Sequence, residues 1–318
     1  MQVSRRFLLP LVVLFSVASC ALAAEKTTLR LRLKAGESYT IAMTADQKIT
    51  QTVGGAVQNI AQTIGTTYTF KTAAVDPDGT IHGTFTYDAV RCKMDGPGMV
   101  IDYDSSKVAP GAAAPVNPMA KTFAALVGQT LDVVMTPEGR VTELKGADRI
   151  MAAVIKAMAL PEAARAAVEQ QLKTQFGDEA LKKTFEQITA IYPKDPVEPS
   201  DTWDAEQHIS MGFPMILKTT WTLKSLTGGK ATIGAEGTIE TGPPAAGAAA
   251  PAPGTPTPKL KGTQKGTLLV DQATGWLTSG NIAQAIEGSI SVNAGGQELV
   301  IPMTIKSDTK FEQVKPKK

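Results

Sequence analysis

The sequence predicts a mostly β protein of the α+β class, in which two related, curved, half-barrel-like antiparallel β units flank a central helical insert. Three observations lead to this prediction. Threonine-rich runs with alternating apolar and polar residues are separated by turns of Gly, Pro and Asp. One region near the middle of the chain instead carries apolar residues at helical spacing. Short strand and turn motifs of the first half recur in the same order in the second half.

Residues 1–23 have the pattern of a bacterial secretory signal peptide. Arg5 and Arg6 precede the apolar run Phe7–Phe15, and Ala21–Ala23 forms a small-x-small cleavage site. An N-terminal anchor helix is the alternative, but the apolar run is shorter than the roughly 20 residues that span a bilayer. We therefore expect an extracytoplasmic protein, located in the periplasm or secreted.

Cys20 offers a second processing route. The sequence Val17–Cys20 resembles a bacterial lipobox, in which the cysteine is lipidated and becomes the first residue. The Ala21–Ala23 site competes with it. The product is a soluble protein in one case and a lipoprotein tethered to the outer membrane in the other, and the sequence leaves both open.

Removal of the signal changes the charge of the chain. The full sequence has 32 Lys and Arg against 30 Asp and Glu, and the signal holds Arg5 and Arg6 but no acid. The mature chain therefore has equal numbers of basic and acidic residues. With no dense basic run, it lacks the electrostatic pattern of a protein that binds nucleic acid or an anionic membrane surface.

The first β unit is assigned to residues 24–145. Leu29, Leu31 and Leu33 alternate with basic residues and predict a half-buried strand. The sequence Asp76–Gly79 is a strong turn signal between two longer strands.

The helical insert is assigned to residues 146–192. We predict helices over Ala147–Leu160, from Pro161 to about Gln175, and from Asp178 onward. Met151, Ile155 and Met158 share one apolar face of the first helix. This face either packs on the sheets or contacts an apolar ligand.

The second β unit, residues 193–318, repeats features of the first. Gly65–Thr72 is echoed by Lys218–Ser225, and Gln129–Val133 by Gly266–Val270. Each half also contains an Ala/Pro/Gly tract, Val108–Pro118 or 242–258, that we predict to be a mobile surface loop. We interpret the echoes as an internal duplication, with convergence between β hairpins as the alternative.

The sequence contains no convincing pattern of catalytic or metal-binding residues. His82 and His208 are the only histidines, and neither has partners at metal-ligand spacing. Ser307–Lys310 matches Ser-x-x-Lys without the accompanying motifs of an acylating enzyme. Cys92 is expected to be a buried core thiol. We predict no catalytic residue, metal or cofactor.

A series of short motifs resembles the uncharacterised secreted bacterial proteins grouped as domain of unknown function 6263. The motifs are Leu33–Tyr39, Asp78-Gly79, Pro118–Lys121, Leu126–Gly128, Pro137–Val141, Tyr192-Pro193, Pro196-Val197, Asp201–Trp203 and Leu268–Thr278. The resemblance covers nearly the whole mature chain. It implies an exported β-rich protein and carries over no activity or catalytic residue.

These observations predict an exported cell-envelope protein that is a non-enzymatic binding or structural module. The expected partner is a lipid, another apolar small molecule or an envelope protein. Nucleic acid is excluded, and a membrane is contacted only through a lipid on Cys20. The alternative is an extracytoplasmic hydrolase whose site is assembled from distant strands. The sequence leaves the oligomeric state open.

Overall fold

The computed structural model describes residues 26–109, 115, 117–189, 191–210, 214–243, 256–294 and 297–315. Its strands are β1 (Ser38–Val53), β2 (Ala56–Val75), β3 (Ile81–Gly96), β4 (Met99–Asp104), β5 (Thr130–Met135), β6 (Val141–Lys145), β7 (Thr202–Ser210), β8 (Pro214–Thr227), β9 (Lys230–Thr241), β10 (Thr257–Asp271), β11 (Leu277–Ala294) and β12 (Gln297–Val314). Its helices are α1 (Pro118–Ala124), α2 (Ala147–Met158), α3 (Glu162–Phe176) and α4 (Asp178–Thr189), with a 3-10 turn at Ser105–Lys107.

The described strands form one curved antiparallel sheet, which confirms the mostly β prediction. The order is β6-β5-β3-β2-β1-β12-β11-β10-β9-β8-β7, with β4 paired to β3. The two halves are therefore not separate sheets, because β1 pairs with β12 over most of its length. The orders β6-β5-β3-β2-β1 and β11-β10-β9-β8-β7 run in the same sense, as a duplication would produce, but the duplication itself stays a prediction.

The two ends of the sheet differ. At one end, here called the closed end, lie the turns Asp76–Gly79, Gly228-Gly229 and Asp271–Trp276, which connect neighbouring strands. At the opposite, open end lie the β1–β2 tip at Gly54-Gly55 and the β3–β4 tip at Pro97-Gly98. The β11–β12 tip reaches beyond both, because β12 continues past the position paired with the end of β1.

The segment 27–34 crosses the closed end without joining the sheet, so the predicted strand there is wrong. Its alternation holds, because Leu29, Leu31 and Leu33 are buried. Its backbone, however, bonds to two turns: the N–H of Leu31 donates to Pro137 and that of Arg32 to Thr274. The alternation indicates that one side of the segment is buried. An extended segment that crosses the ends of the strands has such a buried side, just as a strand in a hydrogen-bonded sheet does.

The helical insert lies between the two edges of the sheet. Helix α2 begins at Ala147 and α4 begins at Asp178, as predicted. Helix α4 packs on both β6 and β7, the two edge strands, so the curved sheet is bridged at its closed end. In the described part of the chain, no helix has the length and apolar character needed to cross a membrane.

The core of the closed end is filled by large side chains. Phe70 and Leu223 are fully buried, and the ring of Phe70 lies 4.7 Å from that of Phe85 and 6.0 Å from that of Trp276. A cavity of about 40 Å³ remains between Phe185 of α4 and these aromatic rings. It has room for a few water molecules at most.

Candidate functional site

The inner face of the sheet, which carries the core at the closed end, continues towards the open end without charged residues. Side chains alternate between the two faces of each strand, so the pairing registers fix which residues point inward. In the half of each described strand that lies towards the open end, the inward positions hold no Asp, Glu, Lys or Arg. The outer face carries the ion pairs Lys218–Glu240, Lys261–Glu287 and Lys265–Glu236.

An isoleucine row crosses this inner face near the open end. Ile286, Ile305, Ile49 and Ile60 lie directly opposite one another on β11, β12, β1 and β2. Ile49, Ile60 and Ile305 are only partly buried. Among the described residues, the helices pack on β3, β4, β6 and β7 and not extensively on these four strands. Ile286, in contrast, is buried in a cluster with Met215, Leu217, Ile239 and Leu260. The part of the row on β12, β1 and β2 is therefore an apolar surface that the described residues leave partly uncovered.

A row of uncharged polar side chains lies one step closer to the closed end. This amide row consists of Gln62, Gln47, Ser307, Gln284, Gln264 and Thr219, at facing positions on β2, β1, β12, β11, β10 and β8, with Gly237 completing it on β9. Its hydrogen bonds form two runs. Gln62 donates to Gln47, which donates to the Ser307 hydroxyl over 3.4 Å.

The second run of the amide row starts at Gln284. Its Nε2 donates to Gln264 Oε1 over 3.3 Å, and Gln264 Nε2 donates to Thr219 Oγ1 over 2.6 Å. Gln264, Thr219 and Ser307 are buried, whereas Gln284, Gln47 and Gln62 are partly exposed. The row therefore places partly exposed amide groups within the inner face of the sheet.

Glycines let the sheet bend around this inner space. A Cβ on Gly266 would collide with the backbone oxygen of Asn281, and one on Gly262 with that of Ala285. Neighbouring backbones therefore approach more closely at β10 than a side chain allows. Such positions are where a sheet curves sharply.

The rim of the open end exposes apolar side chains on the hairpin tips. Val57, Val100 and Val300 have exposed fractions of 65%, 74% and 49%. Leu299 and Met99, which point inward, are also exposed. The apolar character of the inner face therefore extends to the edge from which a ligand would enter.

A polar cleft of about 550 Å³ lies between α4 and the two edges of the sheet. It is lined by Glu138, Arg140, Glu186, Tyr192, Lys194, Ala205, Glu206, Gln207 and His208. His208 Nε2 lies 3.2 Å from Glu206 Oε1, and both side chains are largely exposed. Among the lining residues that the structure describes, none is a serine, threonine or cysteine, so these residues do not form the pairing of nucleophile and base that acyl transfer needs.

The shifted pKa values follow from burial and local hydrogen bonds. Burial raises the pKa of Tyr68, Tyr87 and Tyr192, and burial together with the hydrogen bond to Glu37 raises that of Tyr39 to about 12. The pKa of Asp271 is lowered chiefly because the backbone N–H of Thr274 donates to its carboxylate. These shifts belong to packing and turns, not to a pair of catalytic groups.

The residues singled out from the sequence are placed as follows. Cys20 and the rest of the signal lie outside the described residues, as does most of the tract 242–258. Met151 and Ile155 are buried and Met158 is partly buried, where α2 packs against α1 and α3. A ligand-facing role for these three residues stays a prediction.

The histidines and the cysteine lie apart from one another. His82 Nε2 lies 2.8 Å from Asp76 Oδ2 at the surface, and His208 lies in the polar cleft. Cys92 is fully buried, and burial raises the pKa of its thiol. Among the described residues, no group of three or more metal-ligating side chains is present.

The sequence interpretation missed the amide row and the uncharged inner face. Each glutamine occupies an inward position where the alternation favours an apolar residue, and this is the signal that the sequence offers. That these polar residues form one row depends on strand registers between residues as far apart in sequence as Gln47 and Ser307. Such long-range registers leave no local pattern in the sequence.

Comparison with known proteins identifies a family but no activity. The profile of a family of unknown function (DUF6263) matches residues 78–277. No curated protein gives a significant match.

Several solved structures are distantly similar to this chain. A structure of lipid–protein interactions in lipovitellin aligns with a TM-score of 0.48 and 8% identity, over 89% of this chain and 26% of that chain. OccK5 (OpdH) of Pseudomonas aeruginosa gives a TM-score of 0.24 and 7% identity, over 88% and 99% of the two chains. An outer membrane channel of Pseudomonas putida F1 gives 0.22 and 10%, over 89% and 97%. These scores are too low to carry an argument about function.

Proposed function

The chain belongs to the family of unknown function DUF6263, and we propose that it is an exported cell-envelope protein whose inner face holds the acyl chains of a lipid at the open end of the sheet. The observation that carries the proposal is the partly exposed isoleucine row on a face without charged residues. Acyl chains lose apolar surface to this wall and gain roughly 25 cal/mol for each Å² removed from water. The signal pattern of residues 1–23 supports export.

The location proposed for the ligand follows from the polarity of the surfaces. The closed-end cavity of about 40 Å³ is too small for an acyl chain. The polar cleft at α4 and two hollows of about 620 and 530 Å³ on the outer face are lined by charged side chains. The inner face near the open end is instead apolar, and Ile49, Ile60 and Ile305 are partly exposed there. The hydrolase alternative is not proposed, because the described residues give no cleft in which a nucleophile and a base meet.

Native mass spectrometry of the protein purified after export tests this function. We expect lipid adducts on the wild type, and about tenfold less lipid on Ile305→Lys, because an ammonium group in the apolar wall must be desolvated. Thr304→Lys, one residue away on the outer face, is the matched control and should keep the lipid. Ile49→Trp, which places an indole ring on the same apolar wall without adding charge, should also lower the lipid content and serves if Ile305→Lys does not fold.

Two results would contradict the function. One is a wild-type protein that carries no lipid and takes up neither oleic acid nor monooleoylglycerol. The other is equal lipid content in folded Ile305→Lys and Thr304→Lys variants, which would place the lipid away from the inner face.

A further inference from the structure

The amide row is a polar element between two largely apolar rows of the inner face, and a hydrogen-bonded pair, Gln51 and Gln58, lies nearer the rim. On its open-end side lies the isoleucine row, and on its closed-end side the facing positions include Trp221, Ala235 and Ile282. A polar group in apolar surroundings lowers the stability of the fold unless its hydrogen bonds are made. A ligand that completes these hydrogen bonds therefore gains more binding free energy than it would from contact with the apolar wall alone.

The hydrogen bonds of the row are incomplete at its centre. Gln284 and Ser307 lie directly opposite each other, yet no hydrogen bond joins their side chains. Among the described residues, the hydroxyl proton of Ser307 and the Oε1 atom of Gln284 have no side-chain partner. In the described part of the chain, one free donor, the Ser307 hydroxyl, therefore lies on the strand next to one free acceptor, the Oε1 atom of the partly exposed Gln284.

We propose that the amide row recognises the uncharged polar group of an acylated ligand: a carbonyl that accepts a hydrogen bond from the row, with a neighbouring hydroxyl that donates one. This inference rests on the proposed function. Carboxamides and hydroxyls both donate to and accept from neutral groups. A phosphate or carboxylate would need a positive partner to offset its desolvation, and the inner face offers none.

The order of the two rows sets the orientation of the ligand. The amide row lies towards the closed end, and the isoleucine row lies between it and the rim. The polar group of the ligand is therefore held deepest in the fold. Its acyl chain runs along Ile305 and Ile49 and leaves past the apolar hairpin tips.

Binding of three chain-matched probes to the full-length protein tests this assignment. The probes are monooleoylglycerol, which is neutral and carries an ester and hydroxyls, oleate, which is an anion, and 1-octadecene, which has no polar group. We expect the wild type to bind monooleoylglycerol about tenfold more tightly than 1-octadecene, the gain of one or two neutral hydrogen bonds. Oleate should bind more weakly than monooleoylglycerol.

Substitutions within the row should remove this preference and leave the acyl-chain contact. Gln284→Met and Gln47→Met should bind monooleoylglycerol and 1-octadecene within about twofold of each other, because methionine replaces the amide at similar volume. The matched control is Gln51→Met, on the same strand and face as Gln47 but hydrogen-bonded to Gln58 outside the row. Ser307→Ala removes only the central hydroxyl and provides the test if a methionine variant does not fold.

The outcomes separate the two proposals. If the wild type binds none of the probes, the proposed function itself is wrong. If it binds all three equally, or prefers oleate, lipid binding stands and recognition by the amide row is overturned. A preference that survives in folded Gln284→Met, Gln47→Met and Ser307→Ala also overturns it.

Discussion

The closed and open ends of the sheet are built from the same strands but differ in what their inward side chains contact. At the closed end, Phe70 and Leu223 are fully buried against other core side chains, beneath α4 and the segment 27–34. At the open end, Ile49 and Ile305 keep part of their surface exposed. Alternation alone therefore does not separate a core from a binding face. An inward face becomes core where another part of the chain covers it, and it remains available for binding where its side chains stay exposed.

The two ends of the sheet also contribute differently to stability and to binding. The closed end contains the aromatic packing and most turn hydrogen bonds, so it supplies stability. The open end has a smaller buried cluster around Met215 and Ile286, and its other inward side chains are partly exposed aliphatic groups and amides, whose removal leaves the closed core intact. Variants at the two ends should therefore affect different measurements.

The largest expected effect on stability is at the closed end. Phe70→Ala removes a fully buried ring and should lower the free energy of unfolding by about 3–5 kcal/mol. Ile301→Ala, on the inner face near the open end, should cost about 1 kcal/mol because its side chain is already partly exposed. Urea unfolding of both variants measures the difference, and equal losses would show that the open end is as tightly packed as the closed end.

A smaller effect is expected where the sheet bends between the two ends. Gly266→Ala forces a Cβ against the backbone of β11 and should lower the free energy of unfolding by about 1–3 kcal/mol. In Gly65→Ala the new Cβ would lie 3.3 Å from the nearest atom, the Cβ of Arg91, so a smaller loss is expected. Thermal unfolding compares the two. A Gly266→Ala protein as stable as the wild type would mean that the strand backbones need not approach so closely.

The smallest of these effects concerns a turn at the closed end. Asp271 accepts hydrogen bonds from the backbone N–H groups of Ala273 and Thr274 and from the Thr274 hydroxyl, which lowers its pKa from the ordinary value of 3.8. Its ionised form therefore stabilises the fold above that value, and this contribution is lost as the pH falls through the lowered pKa. Because solvent screens this partly exposed carboxylate, Asp271→Asn should cost only about 1 kcal/mol at pH 7.

The pH dependence of unfolding checks the assignment of this effect to Asp271. The stability difference between the wild type and Asp271→Asn should be constant from pH 7 to about pH 5 and should shrink below the ordinary aspartate pKa. Val300, which is exposed near the open-end rim and carries no ionisable group, supplies the control variant Val300→Ala, which should show no such change. A difference that persists unchanged at low pH would mean that the charge of Asp271 does not act in the turn.

Local signals in the sequence predict most of the secondary structure. The break at Pro161 locates the boundary between α2 and α3, and Asp76–Gly79 locates a turn, because each signal acts within a few residues. The strand prediction at Leu31 is wrong because alternation indicates one-sided burial and not ladder hydrogen bonds. Assembly is harder to predict. The pairing of β1 with β12 joins the two halves across about 260 residues, and no local pattern encodes it.

The candidate site depends on that same long-range pairing. Gln47 and Ser307 become neighbours only through the β1–β12 register, and Gln284 only through β11–β12. Each appears in the sequence as a single polar residue in a strand-like run. The helical spacing of Met151 and Ile155 points instead to their own face for an apolar ligand, and in the structure neighbouring helices largely cover that face.

Photocrosslinking with a lipid that carries a diazirine on its acyl chain tests the central claim most directly. After irradiation of the full-length protein, peptide mass spectrometry locates each labelled residue. We predict labels at inward positions of β12 and β1 near the open end, such as Ile301, Met303, Ile305 and Ile49, and not at the alternating outward positions Pro302, Thr304 and Thr50. Labels on both faces alike, or confined to the polar cleft at α4, would contradict an acyl-chain site on the inner face.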